Sequence, residues 1–221
     1  MATLMIRLCG PMQSWGVRSR YDYRDTWPYP TKSGVLGLLC AALGRDRHEP
    51  IDDLAALRMG VRVDRPGTLK VDYQTASQVL TSEFALRDTV QSWRSYLSDA
   101  AFLGGLEGDD SLLSQCYEAL LRPRSPLFLG RKSYVPSPPP WLRDGLTLAS
   151  LEAALRSYPY LGSGQPEHDL LLVLEVPSNE GRLVQDQPAG PFAERRFVVR
   201  YVREIPLPRE DVPTREESDV G

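Results

Sequence analysis

The sequence predicts an α+β chain. A ferredoxin-like N-terminal domain (residues 1–135) carries a projecting β-hairpin, and a small β-rich C-terminal subdomain (141–221) follows. Three observations predict this. Before residue 136 the order of elements is strand, helix, strand, strand, helix, strand, the split βαβ pattern. Residues 68–92 are rich in Thr, Gln, Ser, Val and Tyr with few large apolar residues, a composition that suits an extended hairpin leaving the body. The run PSPPP at 136–140 then breaks the chain, and the subdomain boundary is placed there.

Leu4, Ile6 and Leu8 alternate on one face of a first strand over 3–9. Residues 10–30 are polar, aromatic and Pro-rich without periodicity, and a connection of that length tends to be functional. A helix follows from Ser33 to Leu43, capped by Thr31 or Ser33 and stopped by Gly44; it is apolar nearly all round and should be buried. Pro50 opens a short helix to Arg58, and Gly60–Asp64 is a short strand. After the hairpin, residues 93–103 read as a strand with Tyr96, Ala100 and Phe102 on one face. Ser111–Leu121 is an amphipathic helix ended by Pro123, and 126–134 is a strand or turn. Beyond the break come a helix (147–157), a buried strand (169–176) and a long strand (196–205). The tail from Glu204 is acidic, carries prolines and should fray.

Composition excludes several classes. Of 221 residues, 42% are hydrophobic and 25% charged, ordinary values for a globular protein and not for a disordered one. The longest apolar run, Val35–Leu43, is far short of the ~20 residues that span a membrane. No basic leader with a small-residue cleavage site follows the first residues. Cys9, Cys40 and Cys116 are widely spaced inside apolar segments and read as reduced core cysteines of a cytosolic protein. With only His48 and His168 present, and no His/Cys cluster, neither a zinc site nor another metal or cofactor is expected. The formal net charge of −3 argues at first against a nucleic-acid partner. However, the tail from Glu204 holds six acids against two arginines, so the residues before it carry +1, and residues 1–75 carry +3. Only Lys32, Lys70 and Lys132 are lysines; the remaining basic residues are arginines, whose planar fork suits phosphate.

Four segments carry candidate chemistry, each against a plainer role. In GPMQSWG (10–16), Trp15 either stacks on a base or caps the core from a loop. In TKSGVLG (31–37), a helix start beside Lys32 offers free N–H groups to phosphate, or is simply capped by Thr31 or Ser33. In LGRKSY (129–134), Gly130 permits close backbone approach next to Arg131 and Lys132, or the segment is a solvated basic turn. Arg18, Arg20 and Arg24 interleave with Tyr21, Tyr23 and Trp27, as suits single-stranded nucleic acid, although Asp22 and Asp25 can pair with them. Asp52/Asp53 and Asp109/Asp110 sit at helix starts, where acids favour the dipole.

Taken in order, GPMQSWG (10–16), PTKSGVLGLLCAALGR (30–45), RVDRPGTLKVDYQT (62–75), SYLSDAAFLGGLEG (95–108) and LFLGRKSY (127–134) resemble one family. This is the CasD-type family of RAMP-superfamily subunits of the type I-E CRISPR surveillance complex, Cascade. The resemblance covers roughly residues 4–136 and is looser beyond. It implies an RRM-like RAMP domain whose thumb hairpin spans about 68–95. It also implies a role in antiviral defence: holding the 5′ handle of CRISPR RNA, capping one end of the assembly, reaching the adjacent backbone subunit with the thumb, and lying near the large PAM-reading subunit. The implied RNA contacts are Gln13, Ser14, Trp15 and Gly16; Thr31, Lys32 and Ser33; and Gly130, Arg131 and Lys132. Charge and placement add Arg18, Arg20, Gln74 and Arg94.

A related subtype uses its equivalent subunit as a metal-independent endoribonuclease, whose chemistry needs a general base such as histidine beside a lysine. Here residues 94–102 hold Arg94 and Tyr96 but no Lys–His pair. The expectation is a non-catalytic, cytoplasmic RNA-binding subunit. The competing readings are a repeat-RNA nuclease and a small-molecule phosphate binder at Ser33.

Overall fold

A computed structural model of the chain describes residues 1–17, 22–81, 83–178 and 180–214. The elements are β1 (Ala2–Cys9), β2 (Met12–Gln13), β3 (Tyr23–Arg24), α1 (Lys32–Leu43), α2 (Asp52–Ala55), β4 (Arg58–Arg65), β5 (Thr68–Leu80), β6 (Leu86–Ser98) and β7 (Ala101–Gly108). They continue with α3 (Asp110–Leu121), β8 (Leu146–Thr147), α4 (Leu151–Ser157), β9 (Leu170–Val176), β10 (Arg182–Pro188) and β11 (Phe197–Leu207). The architecture is mixed α+β.

One antiparallel sheet of seven strands runs β10-β11-β9-β4-β7-β1-β8. Strands β1, β4, β7 and β9 are buried almost throughout, so their residues alternate between two cores. Leu4, Ile6 and Leu8 of β1 face α1 and α3, while Met5 faces α4. Val173 of β9 joins the first core, and Leu170, Leu172 and Leu174 join the second. Helix α1 buries Val35, Leu36, Leu38, Leu39, Cys40 and Ala42, as its apolar circumference predicts. A fully buried Val or Leu contributes about 1.5–3 kcal/mol. Thr31, not Ser33, is the N-cap, and Gly44 closes the helix in the left-handed conformation.

The segment after the PSPPP break shares the first segment's sheet. Strand β9 pairs with β4 from Gly60↔Leu174 to Val63↔Leu171. The physical reason is that LLLVLEV is apolar on both faces and needs cover on both, which a central position supplies and a small separate subdomain does not. A buried polar knot fastens the same junction. The Arg62 guanidinium, fully buried, donates to Leu155 O (2.8 Å), Tyr158 O (2.5 Å) and Pro159 O (2.9 Å) at the end of α4. It also forks onto Asp64 at 2.6 and 2.9 Å, and Asp64 accepts from the Leu161 N–H. One side chain thereby satisfies the carbonyls that the end of a helix leaves open.

Three local expectations change, and one is narrowed to the turn it allowed. The expected strand 93–103 is two strands, because Asp99 adopts positive φ (58°) and turns the chain between β6 and β7. Residues 126–134 form a turn, closed by Leu129 N–H to Tyr134 O and Tyr134 N–H to Arg131 O (both 2.8 Å). Helix α2 begins at Asp52, after Pro50, and ends at Ala55, before Arg58. The tail does not fray from Glu204: that residue lies within β11, and its carboxylate takes Arg182 (2.6 Å) and the Tyr29 hydroxyl (3.0 Å). Residues 215–221 lie outside the described residues.

Strands β5 and β6, thirteen residues each, form an antiparallel hairpin in register from Thr68↔Ser98 to Leu80↔Leu86. It belongs to a second, smaller sheet with β2 and β3 and is exposed along most of β5.

Two outcomes follow. Arg62→Ala leaves Asp64 buried without its cation and three carbonyls without a donor; urea unfolding should show a loss of about 3–5 kcal/mol. Burial pushes the thiols of Cys9, Cys40 and Cys116 up to about 11, 11 and 12. A folded chain at pH 8 should therefore leave all three unreactive to a disulfide reagent, and unfolding should release three thiols.

Candidate nucleic-acid interface

Three of the segments singled out in the sequence meet at one groove of about 290 Å³. Its walls come from Ser14–Gly16, from Thr31, Ser33 and Gly34 at the start of α1, and from Gly130 and Arg131. Arg24 closes one side, and Phe192 and Phe197 close another. Among the described residues, none that lines the groove is acidic.

The groove exists because two glycines let backbone approach backbone or ring. A Cβ on Gly34 would sit 2.7 Å from the Trp15 ring, so Gly34 lets the indole lie on the first turn of α1. Gly130 has φ +90°, and a Cβ there would sit 1.7 Å from the Ser14 carbonyl oxygen. The Ser14 N–H locks that approach by donating to Leu129 O (3.0 Å).

Within these walls the predicted residues divide sharply. Gln13 is fully buried; its amide donates to Leu8 O (3.0 Å) and Ala100 O (2.8 Å). Trp15 is 1% exposed and donates its indole N–H to Gln13 Oε1 (3.2 Å). It caps the core and presents no free face to a base. Ser14 is buried and donates to Ser95 O (3.2 Å), while Gly16 is exposed.

Lys32 is also displaced from the expected role. Its ammonium, 1% exposed, lies 3.1 Å from Glu175 and 3.2 Å from Gln187 Oε1. Burial pulls its pKa below the ordinary lysine value, with Glu175 opposing. Its backbone N–H donates to Asp186 (2.8 Å), and Asp186 is gripped in turn by the Arg200 fork at 2.6 and 2.9 Å. A protein carboxylate thus already occupies the start of α1, where the sequence invited a phosphate. Thr31 is buried and caps Gly34 N–H, whereas Ser33 is half-buried beside the groove.

Among the described residues, the cations that line the groove are Arg24 and Arg131, and Lys132 follows Arg131 in the chain. Arg131 donates to the Tyr134 hydroxyl (2.8 Å) and to Ser95 O (2.9 Å), and its guanidinium lies 5.3 Å from the Tyr134 ring centre. Lys132 and Arg24 are exposed. Gln74 and Arg94 lie on the hairpin, outside the groove lining. Gln74 bonds to Asp72 (2.5 Å) and Arg94 to Ser92 (3.1 Å). Arg18 and Arg20 lie outside the described residues.

Sequence reasoning missed Phe192 and Phe197. They lie within the turn GPFAERRF (190–197), which Arg47 O holds through the Ala193 N–H (2.9 Å). The only available signal was two aromatic residues in a Gly/Pro turn next to Arg195 and Arg196. His48 and His168 are exposed and do not line the groove. Among the described residues no group of three or more His, Cys, Asp or Glu is placed to hold a metal, and no helix is long and apolar enough to cross a membrane.

The sequence and the fold are similar to those of known proteins. The family described as CRISPR-associated protein (Cas_Cas5) matches residues 3–203. The CRISPR system Cascade subunit CasD of Escherichia coli (strain K12) is 36% identical over 146 residues, or 59% of this chain; the match spans 65% of that protein, just under two thirds. A solved structure described as a crystal structure of a Cas protein is 62% identical, with a TM-score of 0.83 over 96% of this chain and 98% of the other. A chain from a CRISPR RNA-guided surveillance complex is 31% identical, with a TM-score of 0.77 over 96% of this chain and 95% of the other. The family match takes in all the strands of the large sheet up to Arg203 in β11, and the chain therefore belongs to the Cas5 family of CRISPR-associated proteins.

Proposed function

We propose that the chain is a non-catalytic, RNA-binding subunit of a type I-E CRISPR surveillance complex, where it holds the 5′ handle of CRISPR RNA and caps the backbone filament. The observation that carries this reading is the groove itself. Three separated segments meet there around two arginines, with no acid among the described lining residues. Such a surface favours a phosphate backbone through charge while leaving base identity to other contacts. The names of the E. coli relative and of the surveillance complex support the assembly.

Further parts of the reading rest on topology. The order β4-β7-β1-β8, all antiparallel, is that of a ferredoxin-like sheet with a two-residue fourth strand, which supports the RAMP reading. The exposed β5–β6 hairpin suits a thumb that reaches the adjacent backbone subunit, and the large PAM-reading subunit is taken to sit near the same end. Reading the chain as binding RNA without cutting it rests on residues 94–102, which hold Arg94 and Tyr96 but no Lys–His pair.

Three outcomes test the reading. Lys132→Ala and Arg24→Ala should each weaken binding of repeat-derived 5′-handle RNA to the reconstituted complex. Each should also flatten the plot of log K against log salt by about 0.7 for every phosphate that is no longer neutralised; full occupancy with an unchanged slope would move the site elsewhere. Gly130→Ala must leave positive φ or displace Ser14. It should lose handle binding and more than about 1 kcal/mol of stability in urea unfolding. Labelled repeat RNA incubated with the chain in EDTA should stay intact; specific cut products would make the chain a nuclease.

A further inference from the structure

Outside the groove, one aromatic cluster remains unexplained. Strand β3 pairs in parallel with β6, setting Tyr23 beside Trp93 and Arg24 beside Arg94. The Trp93 N–H donates to Asp22 O (2.7 Å), which fixes this pairing. The Tyr23 and Trp93 rings stack at 4.9 Å with their planes 10° apart. Tyr73, opposite Trp93 in the hairpin, lies 5.4 Å away and tilted by 55°. Tyr23 nevertheless remains 67% exposed. One face of its ring rests on Trp93.

The position of this stack matters. Arg24, the next residue along β3, lines the groove. Arg131 ties the two sides together by donating to Ser95 O (2.9 Å), two residues beyond Trp93, and to Arg24 O (3.5 Å). A flat exposed ring, backed by a second ring and adjoined by arginines, matches the two requirements of single-stranded nucleic-acid binding: stacking faces and backbone charge. We infer that Tyr23, backed by Trp93, is a stacking platform for one base of a single-stranded RNA leaving the Arg24/Arg131 groove. The inference rests on the RNA-binding reading above and adds to it a base subsite. Because every base has a π-face, the platform is tolerant of sequence and fixes the path of the strand.

The test uses the full chain and oligoadenylate carrying 2-aminopurine at one position at a time. Wild-type binding should quench the fluorescence most strongly at one position. Tyr23→Phe keeps the flat ring and should keep the quench. Tyr23→Leu still covers Trp93 but offers no π-face; it should lose the quench and weaken binding by roughly five- to 150-fold, with an unchanged Tm. Tyr73→Leu, on the other side of Trp93, should change neither. If Tyr23→Leu binds and quenches like wild type while Arg24→Glu abolishes binding, the platform is overturned and the groove reading stands. If wild type binds no RNA, alone or in the reconstituted complex, both fall. A Tyr23→Leu chain with a lowered Tm and an intact quench on bound RNA would make the stack a support for the hairpin only.

Discussion

The groove depends on a buried cluster of four charges at the start of α1. Lys32 and Arg200 face Glu175 and Asp186, with contacts between 2.6 and 3.4 Å. Removing Arg200 would leave Asp186, and removing Glu175 would leave Lys32, buried without its ion-pair partner, which typically costs about 3–5 kcal/mol. The cluster's value lies less in net stability than in register. It joins the first turn of α1 to β9, β10 and β11, so the helix start cannot slide along the sheet. Trp15 then rests on Gly34, Ser14 rests against Gly130, and Arg131 reaches Ser95. Each groove wall takes its place from the one before it.

This arrangement gives the arginine-rich composition a meaning that net charge conceals. Several basic groups are taken up by partners within the chain: Arg62 in the buried knot at α4, Arg200 and Lys32 in the cluster, and, nearer the surface, Arg45 on Asp53 and Arg182 on Glu204. Arginine suits these places because its fork satisfies two or three acceptors at once, as Arg62 does with three carbonyls and a carboxylate. Arg24 and Arg131 instead line the groove, Arg131 donating to the neutral acceptors Tyr134 Oη and Ser95 O, and the exposed Lys132 follows Arg131 in the chain. A balance of −3 over the whole chain therefore says little about what this one surface binds.

The sequence made some of this legible and hid the rest for identifiable reasons. Helices α1 and α3 and strands β1 and β9 follow from local periodicity, because their burial is set by their own residue patterns. The three groove segments were recognisable as segments. The fate of Lys32 was not, since its partners Glu175 and Asp186 lie 143 and 154 residues away. Trp15 likewise could be placed only once Gly34 was known to lie beneath it. Strand β10 escaped notice because RLVQDQP is an edge strand with a register shift and little alternation of large apolar residues. The PSPPP break suggested a boundary because proline interrupts elements, yet it does not decide whether the next strand joins the same sheet.

Cross-linking tests the central claim most directly. The complex would be reconstituted with handle RNA carrying photoreactive nucleotides, irradiated, and digested, and the linked peptides identified by mass spectrometry. The account predicts links to peptides containing Gly16, Tyr23–Arg24 and Gly130–Lys132. Links confined to the outer strands β10 and β11, with none at these three segments, would contradict it.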